Sequence, residues 1–165
     1  MRIRKQNDYH AFFTNSYKTI RLTNGIPTTP ELEDVALNDK CNAMCSYCYT
    51  SAMKNGSNFE NIIEKADLVW GKLSLNDRPF QIAIGGAGEP TLHPDFISFL
   101  KHVKELGIIP NYTTNGMHLN DDILKATENY CGGVALSWHP HIKKIFHNAV
   151  NSIKQINTKL NFHII

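Results

Sequence analysis

The chain has 165 residues, a length that fits one domain and can bury a real core. Seventeen Lys plus Arg against fifteen Asp plus Glu leave a formal charge of +2, too close to balance to mark a nucleic-acid-binding or membrane-binding surface. The basic opening MRIRKQNDYHAFF lacks the apolar run and cleavage site of a secretory signal, and no later segment is apolar enough to span a bilayer. A soluble, cytoplasmic protein is expected.

Residues 1–33 show no sustained period and are dense in turn formers around RLTNGIPTTPE, which predicts an irregular lead-in. From Asp34 onward short apolar, β-branched runs alternate with longer helical patterns, the alternation of βα units around a parallel sheet. The expected strands cover 35–37, 80–84, 108–113, 134–137 and 160–165. Between the first two, Ser57 and Glu60 have capping-box spacing, and Phe59, Ile62, Ile63, Ala66, Val69, Trp70 and Leu73 fall on one predicted helical face. A second helix is expected from near Pro94, burying Phe96, Ile97, Leu100 and Val103 and stopping at Gly107, because glycine takes the left-handed cap without strain. Asn120 is placed to cap a third helix with Asp121 and Asp122 in its first turn, where negative charge meets the positive end of the helix dipole. In the fourth, Ile142, Ile145, Phe146, Ala149, Val150, Ile153 and Ile156 recur at helical spacing while Lys143, Lys144 and Lys154 stay wet. The final NFHII reads as a strand with nothing after it to cover it, so residues 34–165 are expected to be the N-terminal part of a longer α/β domain.

Three of the four cysteines lie in CNAMCSYCYT, spaced C-x3-C-x2-C, and Cys131 stands far away. A tight cluster without an export signal points to a metal site and not to a disulfide framework. Thiolates of one loop converge on a metal without distant help, and three leave one coordination position unfilled. Two readings stand beside a catalytic cluster: a structural zinc site completed by Cys131 or a histidine, and an electron-transfer cluster. The second motif, GGAGEPTLHP over 85–94, is a glycine-rich turn that lets backbone approach a ligand, with Glu89 as a carboxylate at the strand tip. It is a poor dinucleotide fingerprint, since Thr91 stands where a third glycine is needed. Thr113-Thr114-Asn115-Gly116 reads as a left-handed turn, and Ser137 as a strand-end hydroxyl. Of the loop histidines His93, His139 and His141, His139 alone is carried forward as a catalytic candidate. Trp138 reads as a packing residue and Cys131 as a small buried hydrophobe.

Taken in order, these motifs resemble the radical S-adenosylmethionine (radical SAM) enzymes across residues 34–165. The resemblance implies a partial parallel βα barrel, incomplete at its C-terminus, with five strands and four helices. It implies that Cys41, Cys45 and Cys48 bind three irons of a 4Fe-4S cluster whose fourth iron chelates S-adenosylmethionine. It further implies cofactor contacts from Tyr47, which precedes the last cysteine, from Gly86, Gly88 and Glu89 toward the methionine ammonium, from Thr114 and Asn115, and from Ser137 toward ribose or carboxylate. The expected chemistry is reductive cleavage to a 5′-deoxyadenosyl radical that abstracts hydrogen from a substrate. An electron donor such as a reductase, flavodoxin or ferredoxin is implied, and peptide or protein modification is preferred on analogy. The four motifs share a register, since each falls at the carboxyl end of a successive parallel strand, where ligands bind in α/β folds.

Overall fold

The computed structural model describes residues 31–52 and 55–164, together with the backbone of three N-terminal strands. Those strands, β1 (Arg2–Gln6), β2 (Tyr9–Phe13) and β3 (Thr19–Arg21), form an antiparallel sheet in the order β1-β2-β3. This corrects the expected irregular lead-in. Strands of three to five residues are too short for a period-2 pattern to stand out against turn-rich surroundings.

The main sheet holds β4 (Leu32–Val35), β5 (Gln81–Ile84), β6 (Ile109–Thr114), β7 (Gly133–Trp138) and β8 (Lys159–Ile164), all parallel and in chain order. When every crossover steps to the next strand with the usual right hand, all connecting helices fall on one face and the sheet curls as an open barrel. This is the expected α/β architecture.

Local boundaries differ where side-chain burial competes with pattern. The first strand lies earlier than 35–37, because Val35 O accepts the amide of Gly85 as the last rung and the chain then leaves the ladder. Leu37 is buried from the following loop, and its carbonyl binds the amide of Phe59. Ser57 and Glu60 do not cap a helix. Ser57 N instead donates to the Asp39 carboxylate, and α1 (Ile62–Ala66) begins after Asn61, whose φ is 55°. A wider π-helical turn, Asp67–Gly71, continues it. Ile62, Ala66 and Trp70 are buried at a spacing of four, whereas Val69 is 56% exposed and Phe59 and Leu73 face outward. Arg78 closes this segment by donating to the carbonyls of Trp70, Gly71 and Leu73, and to Leu106 of the next helix end.

Helix α2 (Phe96–Glu105) buries Phe96, Phe99, Leu100 and Val103, with Ile97 only partly covered. It ends at Leu106, and Gly107 follows in the left-handed region at φ 77°. Helix α3 (Asp121–Tyr130) starts as expected, the Asn120 side chain accepting from Ile123 N at 2.9 Å. Helix α4 (Lys143–Ile153) buries Ala149 and Ile153 and packs Phe146 and Val150 at the core's margin. Cys131 lies in the same core, and burial pushes its thiol far above the usual range. Among the described residues no helix is long and apolar enough to cross a membrane.

Candidate functional site

Every strand-end motif opens into one cleft of about 200 Å³. Cys41, Cys45, Cys48 and Tyr47 line it from the loop after β4, and Gly86, Gly88 and Glu89 from the loop after β5. Thr114 and Asn115 reach it from β6, and Ser137 and His139 from β7. All residues singled out as site candidates are thus brought together, and His163 of β8 joins them.

The cysteine loop is built from tight turns. Cys48 N donates to Cys45 O and Ser51 N to Cys48 O. Met44 and Ser51 hold φ near 50°, a conformation that costs a non-glycine residue about 1–3 kcal/mol and persists only where surroundings over-determine it. Each thiol has its own polar neighbour. Cys41 Sγ lies 3.8 Å from Asn115 Nδ2 and receives the amide of Ala43. Cys48 Sγ is 3.2 Å from the Thr50 hydroxyl, a contact that lowers its pKa. Cys45 Sγ sits 3.6 Å from His139 Nδ1 and 3.8 Å from His141 Nε2, and desolvation raises its pKa.

The loop after β5 fits against this one. Glu89 N donates to Lys40 O at 2.8 Å, and a Cβ on Gly88 would stand 2.5 Å from the same carbonyl, so no larger residue fits the close approach. Gly86 requires glycine for another reason, its φ of 86°. Glu89 is 2% exposed and collects four donors: Thr91 N and Oγ1, Thr114 Oγ1 at 2.8 Å, and Asn115 N at 2.7 Å. Desolvation nevertheless raises its pKa, the hydrogen bonds opposing that shift. The carboxylate therefore pins the β5 and β6 loops together at the cleft wall. Oε1 takes three of the donors and Oε2 one, so Oε2 keeps acceptor capacity. Asn115 continues the network, its Nδ2 donating to Asn42 Oδ1 at 2.8 Å while its Oδ1 accepts from Met117 N in a local turn.

Sequence reasoning missed several members. Asn38 donates to Glu89 O, Tyr49 to Gly86 O and Thr50 to Ala87 O, so the cysteine loop and the glycine loop are cross-linked by side chains. Proximity to the cysteines was their one sequence signal, and polar loop residues are common. His93 has a structural role, bonding Phe59 O and accepting from Asp95 N. Trp138 is partly buried at the end of β7.

Three soft thiolates in one loop, with the fourth cysteine sealed in the core, are a donor set that suits an iron-sulfur cluster with one iron left for another ligand. Among the described residues no three His, Cys, Asp or Glu side chains form a group able to hold a single metal ion.

Over 95 residues the chain is 30% identical to the tungsten-containing aldehyde ferredoxin oxidoreductase cofactor-modifying protein of Pyrococcus furiosus, covering 54% of this chain and 25% of that protein. It is 25% identical over 95 residues to a 7,8-dihydro-6-hydroxymethylpterin dimethyltransferase of Methanocaldococcus jannaschii, covering 57% of this chain and 19% of that protein. The chain therefore spans a quarter or less of these curated relatives. Among solved structures, BtrN in complex with AdoMet and 2-DOIA shares the fold with a TM-score of 0.62 at 21% identity, over 84% of this chain and 58% of that one. Streptococcus suis SuiB bound to S-adenosylmethionine gives 0.64 at 17% identity, over 82% and 34%. Residues 35–139, from the end of β4 through the cysteine loop to His139, match the Radical SAM superfamily, and this chain belongs to it.

Proposed function

We propose that this chain carries the radical-forming centre of an enzyme that cleaves S-adenosylmethionine reductively, with Cys41, Cys45 and Cys48 holding a 4Fe-4S cluster. The observation that supports this reading best is the meeting of three thiols with the Gly86–Glu89, Thr114–Asn115 and Ser137 strand ends in one cleft. When bound, the reduced cluster supplies the electron that breaks the C5′–S bond of S-adenosylmethionine, giving methionine and a 5′-deoxyadenosyl radical that abstracts hydrogen from a substrate.

The chain's own residues bind, aim and shield. Glu89 Oε2, which accepts only from Asn115 N, keeps acceptor capacity that suits the ammonium of the methionine moiety, a charge-assisted contact. Gly86 leaves the cleft wall free of a side chain, and Gly88 lets the loop close against Lys40. The Ser137 hydroxyl suits ribose or carboxylate oxygens, Thr114 acts by holding Glu89 in place, and Tyr47 flanks the cysteine loop with its ring partly exposed. His139, 7% exposed and bonded to Tyr47, faces the cysteine loop, a place that suits positioning of that loop better than proton transfer to substrate.

An external reductase, flavodoxin or ferredoxin is the proposed electron source. A peptide or protein is the first substrate class to test, because SuiB has been solved with its precursor peptide SuiA and anSMEcpe with the Cp18Cys peptide. Free thiols at all four cysteines suit a reducing cytoplasm, and a cluster at an open cleft would be oxygen-sensitive.

Anaerobic reconstitution with iron and sulfide, followed by dithionite reduction in S-adenosylmethionine, tests the proposal. The expected products are 5′-deoxyadenosine and methionine in equal amounts. Stoichiometric zinc in place of iron, or a reduced cluster that releases no 5′-deoxyadenosine, would overturn it.

A further inference from the structure

Cys45 differs from the other two thiols in its surroundings. Two imidazoles from the segment that follows β7 close over it, His139 Nδ1 at 3.6 Å and His141 Nε2 at 3.8 Å. Their rings lie 5.8 Å apart, and the Tyr47 ring stands 6.0 Å from the first and 6.3 Å from the second. Both histidines also hold the loop itself. His141 Nε2 is 3.1 Å from Ala43 O, and because a carbonyl can only accept, that nitrogen carries the proton. His139 Nδ1 meets the Tyr47 hydroxyl at 2.9 Å. The tether at Ala43 sits one residue before Met44, whose φ of 50° makes the turn that aims Cys45 into the cleft.

Resting on the reading that Cys45 is a cluster ligand, we propose that His139 and His141 form an imidazole clasp. His141 positions Cys45 through its Nε2–H to Ala43 O, and His139 presents its Nδ1–H to the sulfur, shared with the Tyr47 oxygen, so that the turn after β7 sets both the retention and the reduction potential of the cluster. The physical reasons are two. A left-handed non-glycine turn relaxes unless its neighbours hold it, and the Ala43 tether does so. Hydrogen bonds to ligand sulfurs withdraw charge and favour the reduced cluster, which is one of the levers a protein has on its potential. Neither histidine needs to touch substrate. They are positioning residues, which accounts for a His-Pro-His segment, His139 to His141, pointing back at the cysteine loop from 94 and 96 residues away.

The test compares wild type, a His139→Ala/His141→Ala double variant and His141→Gln after anaerobic reconstitution. Iron and sulfide per chain are measured after a chelator challenge, and the midpoint potential by titration followed with electron paramagnetic resonance. The double variant should lose its cluster about 10-fold faster, the scale on which residues that orient metal ligands act, and what it retains should reduce at a lower potential. His141→Gln, whose amide can still donate to Ala43 O, should recover most of the retention. A double variant matching wild type in both retention and potential overturns the clasp alone. A wild-type protein that takes up no cluster overturns the reading beneath it as well. Should the double variant fail to fold by far-ultraviolet circular dichroism, the potential of His139→Phe decides. A downward shift supports the clasp, and an unchanged value removes it.

Discussion

Between the sheet and its helices, Ile82, Leu100, Val103, Ile108 and Leu136 are 0% exposed within one apolar cluster. At the carboxyl ends of the same strands the buried residues are Glu89, Thr91, Thr114, Asn115, Ser137 and His139. The first layer is held by area removed from water, which is non-directional, so its residues are interchangeable within limits of volume. The second is held by donors and acceptors at fixed positions, and a buried polar group that loses its partner costs its full desolvation. One region sets whether the chain folds, the other what the folded chain can hold. The contrast predicts that substitutions in the two regions fail differently.

The largest expected effect separates the thiols. Cys45→Ala should abolish cluster assembly, as should Cys41→Ala or Cys48→Ala, whereas Cys131→Ala should retain the cluster and lose only some thermal stability. Iron and sulfide analysis beside a melting curve distinguishes them, and a cluster lost with Cys131 would erase the contrast.

Next, Leu100→Ala should cost about 2–5 kcal/mol of unfolding free energy, the range for a fully buried leucine. S-adenosylmethionine affinity of the folded fraction should stay near wild type. Urea unfolding and cofactor titration measure the two halves.

Glu89→Gln should show the opposite profile, a cost of about 1–3 kcal/mol from mismatched donors together with clear loss of cofactor affinity. It also carries a pH signature. The folded-state pKa of Glu89 is raised by burial, so the folded chain keeps a proton that the unfolded chain releases. Its contribution to stability is complete below the ordinary glutamate range and is lost as pH rises through the raised value. Urea midpoints measured across that window should fall with pH in wild type and fall less in Glu89→Gln. Equal slopes would show that the carboxylate is not the group responsible.

Smaller effects sharpen the picture at single atoms. Gly88→Ala puts a methyl against Lys40 O and should separate the cysteine and glycine loops, weakening cluster retention. Gly86→Ala meets nothing nearer than the Tyr49 hydroxyl at 3.9 Å and should show mainly the roughly 1–2 kcal/mol penalty of its left-handed backbone. Least of all, Asn120→Ala should remove about 1 kcal/mol by uncapping α3 and leave the cleft untouched. Thermal melts with iron analysis order the three.

Much of this was legible in the residues alone. The alternation of apolar runs recorded five strands in the correct order, and the Gly107 stop and Asn120 cap were read correctly because each depends on a few adjacent residues. The cysteine spacing, the glycine-rich turn and the Asn-Gly turn marked residues that the fold gathers at one cleft, since strand ends converge once the sheet is known to be parallel. The N-terminal strands β1, β2 and β3 are too short to show a period, and two departures in the main domain are local. Ser57 N pairs with Asp39 in place of capping a helix, and the first strand ends at Val35.

What the sequence by itself determined was therefore the periodicity of each element and the residue types at each strand end. Only the tertiary structure decided which groups meet. Glu89 bonds Thr114 and Asn115 from 25 and 26 residues away, and His141 reaches Ala43 from 98. A helix or strand period is written by neighbours a few positions apart, but a buried hydrogen bond is chosen by whatever the packed sheet brings within about 3 Å. For that reason the sequence located the carboxylate and the histidines without revealing that one pins two loops together and the others close over a thiol.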